Sequence, residues 1–211
     1  MVHERLLETA IREFGAKGLD GASTRGIAAA AGTAMSSITY HYGGKEGLYL
    51  ATADYIASQM EDVPAGIRVG SEGFPETPEA ARATLHAILG RMVDKLSSQR
   101  SESWSLFIVR EQIRPTEAFD RIYAGPMGQM MEALVQLVCV ATGMRDAPAS
   151  RITVITLFGQ VLAFRAARAT CERLFERSTT DPALIADLKK RIAANTDAIL
   201  DRLISERQEQ Q

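Results

Sequence analysis

This chain is poor in the residues that make and break bonds. Its three histidines, His3, His41 and His86, are scattered, and its two cysteines, Cys139 and Cys171, have neither Cys-x-x-Cys spacing nor a base close by in sequence. It has no glycine-rich phosphate loop, nucleophile elbow or metal-ligand spacing. An enzyme is therefore not expected, nor a metal or other cofactor. Both cysteines sit in apolar helical contexts and read as buried thiols of a reducing cytoplasm. The N-terminus lacks the apolar stretch of a signal peptide and no run approaches a membrane span, so the expectation is a soluble cytoplasmic protein with no membrane partner. Charge of neither sign dominates. The net of −2 favours neither bulk coating of nucleic acid nor a polybasic anchor. Strand-like alternation and repeats are missing too, which leaves helices throughout.

Against that background residues 24 to 49 stand out. Thr24 precedes the apolar Ile27, Ala28 and Ala31, so its hydroxyl is placed to cap a first short helix. Gly32 ends that helix, because a residue without Cβ can take the left-handed conformation that a tight turn needs. A second helix follows over about Ala34 to Tyr42, which is helix-turn-helix spacing. Ile38 and Tyr42, four apart, face inward, leaving Met35, Ser36, Thr39 and Tyr40 on or near the outside. Small hydroxyl, methyl and thioether groups suit base edges and thymine methyls, while tyrosine and histidine reach phosphate oxygens. Gly43 and Gly44 close the helix. Lys45 opens the next, so its ammonium and that helix's free N–H groups together suit a phosphate.

The run Ile38 to Tyr49, an aromatic pair about a histidine followed by a short turn, Lys-Glu and an apolar-aromatic pair, resembles the DNA-binding domain of the TetR/AcrR regulators. Residues 5 to 31 are similar as well, with an amphipathic first helix, a turn at Gly18 to Gly21 and a Thr-x-x-Ile-Ala start at Thr24. The resemblance implies that Thr24, Thr33, Tyr40, His41 and Lys45 make phosphate contacts and that Met35, Ser36, Ser37 and Thr39 face the bases. Met35 stands where that family often has a basic or polar residue, and Thr39 where it often has an aromatic, so no operator sequence transfers. Over residues 1 to 62 five Lys or Arg stand against eight Asp or Glu. Binding to double-stranded operator DNA must then depend on local geometry, with Arg25 and Lys45 on the same face as the second helix.

The organisation expected is all-α: a three-helix head over residues 1–50, a linking helix over 45–62, and a larger ligand-binding and dimerisation domain over 63–211, with about nine helices. Residues 63 to 78, with three glycines and three prolines, read as a mobile loop. Helices follow over about 79–98 and 102–114. The next starts near Thr116, breaks at Gly125-Pro126 and resumes to about Thr142. Two long helices, about 147–177 and 181–206, close the chain. The last carries Ile185, Leu188, Ile192, Ile199 and Leu203 on one stripe and Leu184, Ala193, Leu200 and Ile204 on another, more apolar surface than one neighbour covers. With Ile155, Phe158 and Leu162 on the preceding helix, this predicts a homodimer through a four-helix bundle.

Two charged residues fall where the periodicity expects apolar ones: Glu111, after Trp104, Phe107 and Ile108, and Arg165, after Phe158 and Leu162. Two readings fit. Either they form a structural ion pair, or they supply the polar groups of an apolar effector pocket together with Arg110, Gln160 or Arg168 and lined by Trp104, Phe107, Met130, Met131 and Phe164. Arg110-Glu111-Gln112, Pro115 to Asp120, Gly125-Pro126, Gly159-Gln160 and Phe164 to Arg168 resemble the CerR/CecR-like C-terminal domain. That resemblance implies a helical sensor for a small-molecule effector, hydrophobic or drug-like. Linkage between effector and head arrangement then gives a ligand-responsive regulator whose expected sign is a repressor that releases a palindromic operator when the effector binds, with activation by ligand the other possibility. The other readings are a helical ligand carrier with a vestigial head and, more remotely, an enzyme.

Overall fold

Periodicity of apolar residues at three-to-four spacing runs through the whole chain, and the computed structural model, which describes residues 2–60, 69–98, 102–145 and 148–209, turns it into helices. In order these are α1 (Val2–Gly21), α2 (Thr24–Ala31), α3 (Met35–Tyr42), α4 (Lys45–Met60), α5 (Pro78–Ser97), α6 (Glu102–Ile113), α7 (Glu117–Ile122), a π-helical turn (Tyr123–Met127), α8 (Gly128–Thr142), α9 (Pro148–Ala166), α10 (Arg168–Phe175) and α11 (Pro182–Glu209). No strand occurs among the described residues. Among the described residues eleven α-helices stand against the nine or so expected, and the break that the sequence does not mark is the one at Ala167.

The helices pack as two compact units, Met1–Val63 with Glu102–Gln129, and Pro64–Ser101 with Met130–Gln211. Sequence reasoning groups everything after residue 63 together, whereas packing groups α6 and α7 with the first four helices. The cause is apolar. Leu6, Ala10 and Phe14 of α1, Ile27 and Ala31 of α2, Ile38 of α3, and Leu48, Tyr49 and Ile56 of α4 share one core with Phe107, Ile108, Ala118, Ile122 and Met127. Gly15 lets α1 and α6 approach closely, since a Cβ there would lie 3.0 Å from the Ser103 carbonyl oxygen.

Glu111 is the polar centre of this first unit and is 1% exposed. Its Oε1 accepts from the Tyr49 hydroxyl at 2.5 Å, and its Oε2 accepts from the Thr116 N–H, the Thr116 hydroxyl and the Phe119 N–H at 2.9 to 3.1 Å. The carboxylate thus caps the start of α7, where exposed N–H groups favour negative charge, and holds α4 as well. Burial, reinforced by the bond to Glu111, pushes the Tyr49 phenol well above its usual range. Arg110 donates to the Ala16 carbonyl at 3.0 Å, satisfying α1 where it kinks at Gly18, which has φ 75°. Both residues were ligand candidates in sequence. Here they knit helices together.

In the second unit α5 packs on α9 and α11 through Leu85, Ile88, Leu89 and Val93, with Val154, Leu157 and Val161 of α9 and Ile192 and Leu200 of α11 also buried. Thr77 caps α5, its hydroxyl accepting from the Ala80 N–H at 3.2 Å, and Pro78 stands in the first turn, where a missing N–H is harmless. Arg82 spans Asp197 at 2.9 Å and Asp201 at 2.6 Å on α11. Asn195 donates to Gln160 at 2.7 Å, joining α11 to α9.

The expected break at Gly125-Pro126 is the π-helical turn, where Gly125 leaves helical geometry at φ −98°, ψ −133° and Pro126 brings no N–H. The single helix expected over 147–177 is a correction: α9 and α10 meet at Ala167 with a 76° bend. Neither Pro nor Gly marks that point. The linking helix ends at Met60; positions 61 and 62, the first part of the expected loop, and position 147 lie outside the described residues. No single helix among the described residues is long and apolar enough to cross a membrane.

Candidate nucleic-acid interface

The first helix of the motif starts one residue earlier in its cap than the sequence suggested. Ser23, not Thr24, is the N-cap of α2, its hydroxyl accepting from the Gly26 N–H at 3.3 Å, while Thr24 is the first helical residue. Both hydroxyl residues have the right chemistry, and only the extended backbone of Ser23 decides between them. At the other end Gly32 adopts φ 63°, its N–H donating to Ala29 and the Thr33 N–H to Ala28, which is the paired closure of a Schellman turn. Arg5 of α1 donates from Nε to the Ala31 carbonyl at 2.8 Å and so fixes the turn from outside. Nothing in the local pattern announces this role, because the partners are 26 positions apart.

The second helix, α3, begins at Met35 after Ala34 and turns the expected faces in and out. Ile38 is fully buried and Tyr42 half-buried. Met35, Ser36, Thr39, Tyr40 and His41 are exposed, Tyr40 at 85% and Met35 at 48%, and Ser37 is half-buried. Partial burial raises the Tyr42 phenol, and its oxygen lies 3.3 Å from His3 Nδ1 of α1.

Gly43 at φ 73° ends α3 and Gly44 at φ 124° leads into α4. Gly47 is there for space, since a Cβ would stand 1.7 Å from the Tyr42 carbonyl oxygen. That approach sets the α3–α4 corner. Lys45 Nζ donates to the Asp20 carbonyl at 3.0 Å. The contact uses one of its three hydrogens and pins the ammonium beside the end of α1. Arg25 is exposed at the start of α2, and Thr24 and Thr33 are half-buried. Some acids of this unit are neutralised at home, Glu13 by Lys17 at 2.6 Å and Asp54 by Arg121 at 2.8 Å.

The effector candidates divide between the two units. Phe107 is buried in the core of the first unit, and Trp104 packs partly buried against it, beside Arg110 and Glu111. In the second unit Met130, Met131, Phe164 and Arg165 are half-buried, Gln160 is held by Asn195, and Arg168 lies 3.4 Å from Glu172.

With this geometry in hand, comparison with known proteins is informative. Residues 6–52 match the profile of the bacterial regulatory proteins of the tetR family, and residues 81–203 match that of the C-terminal domain of the HTH-type transcriptional dual regulator CecR. The chain is similar to the HTH-type transcriptional dual regulator CecR of Shigella flexneri, with 33% identity over 173 residues covering 79% of this chain and 77% of that one. It also resembles, in structure, a TetR-like transcriptional regulator from Rhodococcus sp. RHA1, with TM-score 0.62, 19% identity, and 93% and 96% of the two chains covered. FadR of Bacillus subtilis, solved with stearoyl-CoA, gives TM-score 0.62 at 14% identity, covering 90% and 97%. Those two likenesses bear on the fold alone.

Proposed function

The chain belongs to the tetR family of bacterial regulatory proteins, with a C-terminal domain of the CecR type, and from that premise we propose a ligand-responsive transcriptional regulator whose α3 enters the major groove of a palindromic operator. The observation that carries this is the split of α3 into a buried face on Ile38 and an outward face of Met35, Ser36, Thr39 and Tyr40. Met35, Ser36, Ser37 and Thr39 read bases, while Thr24, Arg25, Thr33, Tyr40, His41 and Lys45 hold the phosphates on either side. The head is α1 to α3, α4 links it to the rest, and the remaining helices bind effector and dimerise.

Dimerisation is supported by apolar surface in the second unit. Ile152 and Ile155 of α9 are 65% and 63% exposed, and Leu174 of α10 is 74% exposed. On α11 Leu184, Ile192 and Leu200 fill the protomer, leaving Ile185, Leu188, Ile199 and Leu203 half-covered for a partner. Because Glu111 and Arg110 are committed to helix ends, the effector falls to Met130, Met131, Phe164 and Arg165. Effector binding shifts the dimer to a head arrangement that grips DNA less well, and repression is relieved. A regulator of this kind acts in the cytoplasm.

The test is selection of duplexes from a random-sequence pool by the purified protein, followed by anisotropy titration over a salt series. Enrichment of a palindrome, with affinity falling as salt rises by the slope of a few phosphate contacts per protomer, is the expected result. No enrichment, or affinity indifferent to salt, overturns it. Arg165→Met should then abolish induction by responsive hydrophobic compounds in a reporter strain while the thermal melt stays unchanged.

A further inference from the structure

Two of the three histidines, 38 positions apart in sequence, come together on the exposed side of the head. The rings of His3 on α1 and His41 on α3 lie 4.5 Å apart between centroids, edge to face at 83°, and Tyr40 stands against His41 at 4.9 Å. Both imidazoles are exposed. We propose that His3 and His41 form a paired imidazole clamp for a DNA phosphate, which makes operator binding proton-linked and tighter as pH falls. This rests on the reading of α3 as the groove helix.

Two physical points lead there. The first is position: Arg5, Arg12, Lys17 and Lys45 are each held by a hydrogen bond within the protein, whereas the two imidazoles stand exposed beside one another on α1 and α3. The second is that His3 is anchored in a way that survives protonation. With the neutral ring, the Tyr42 hydroxyl donates to Nδ1 and leaves an N–H on Nε2; with the charged ring, Nδ1 donates to the same oxygen.

The rings of Tyr40 and Tyr42 face the pair from α3. The nearest charged residues along the chain are Glu4 and Arg5 on α1 and Lys45 and Glu46 on α4, of which Arg5 and Lys45 are turned to the carbonyls already named. The sign follows from linkage. Phosphate favours imidazolium and raises the histidine pKa in the complex, so the added affinity is complete below the pKa of the free protein and is lost as pH rises through that of the complex.

The experiment is anisotropy of a duplex selected by the wild-type protein, titrated at pH 8, 7 and 6 and fixed ionic strength, with His3→Gln and His3→Arg beside wild type. Wild-type affinity should rise about tenfold from pH 8 to pH 6, as uptake of about one proton over part of that range requires. His3→Gln should cut the rise to about threefold, and His3→Arg, charged throughout, should bind at pH 8 more tightly than wild type while showing the same reduced rise. A pH dependence identical in wild type and His3→Gln, or weaker binding by His3→Arg at pH 8 than by His3→Gln, overturns the clamp and leaves the DNA reading intact. Failure to bind any selected duplex at any of the three pH values overturns both.

Discussion

Glu111 illustrates how much one side chain can decide. Its two oxygens serve four donors, one on α4 and three at the start of α7, and burying a carboxylate is tolerable only because all of them are met. Glu111→Ala strands the Thr116 and Phe119 N–H groups and the Tyr49 hydroxyl, and should cost about 3 kcal/mol or more in chemical denaturation. Glu111→Gln keeps one acceptor for the α7 start and can donate its amide to the Tyr49 oxygen, so about 1 kcal/mol is expected. A smaller loss for Ala than for Gln would contradict this account. The residue also shows where sequence reasoning stops. Glu111 is visible as a charge on the same helical face as Phe107 and Ile108, where an apolar residue is expected, but its partner, sought in Arg165, is Tyr49, 62 positions away. Periodicity tells which face a residue occupies and says nothing about which distant side chain meets it.

Between helices, the corners carry most of the specificity. The α2–α3 turn is held by Gly32 and by Arg5, and the α3–α4 corner by the closeness of Gly47 to the Tyr42 carbonyl oxygen, 1.7 Å from where a Cβ would lie. Gly47→Ala must push α4 away from α3. We expect operator affinity to drop at least about tenfold, with the circular dichroism helix signal kept within about a tenth, since displacing a methyl's worth of backbone costs about 1–3 kcal/mol rather than the fold. Unaltered affinity would show that the corner does not aim α3. These corners were readable in advance at Gly32, Gly43 and Gly44, because chain reversal demands left-handed backbone there. The bend at Ala167 was not, since its residues are ordinary helix formers and only tertiary packing selects the break.

At the scale of the molecule, the second unit leaves Ile152 and Ile155 of α9 and Leu174 of α10 exposed, and the proposed dimer rests on covering such surface. Ile155→Glu places a charge on that surface without touching the protomer core, where Val154 and Leu157 stay buried. Light scattering at micromolar concentration should give half the wild-type mass, and affinity for a palindromic duplex should fall at least about a hundredfold, because a lone head makes too few contacts. A wild-type mass for this variant would remove α9 from the interface. The all-helical class and the motif's outward face were within reach of the sequence because both are set by local periodicity. The grouping of helices was not, because α6 and α7 join the first unit through Phe107, Ile122 and Glu111, a long-range choice. That choice limits modular engineering. A specificity chimera made by exchanging only the first 60 or so residues between regulators would graft a DNA reader without the Phe107, Ile108, Ala118, Ile122 and Met127 part of its hydrophobic interior and without the carboxylate that receives Tyr49. The transferable cassette is split in sequence, α1 to α4 plus α6 and α7, and a swap that honours it must replace both stretches at once.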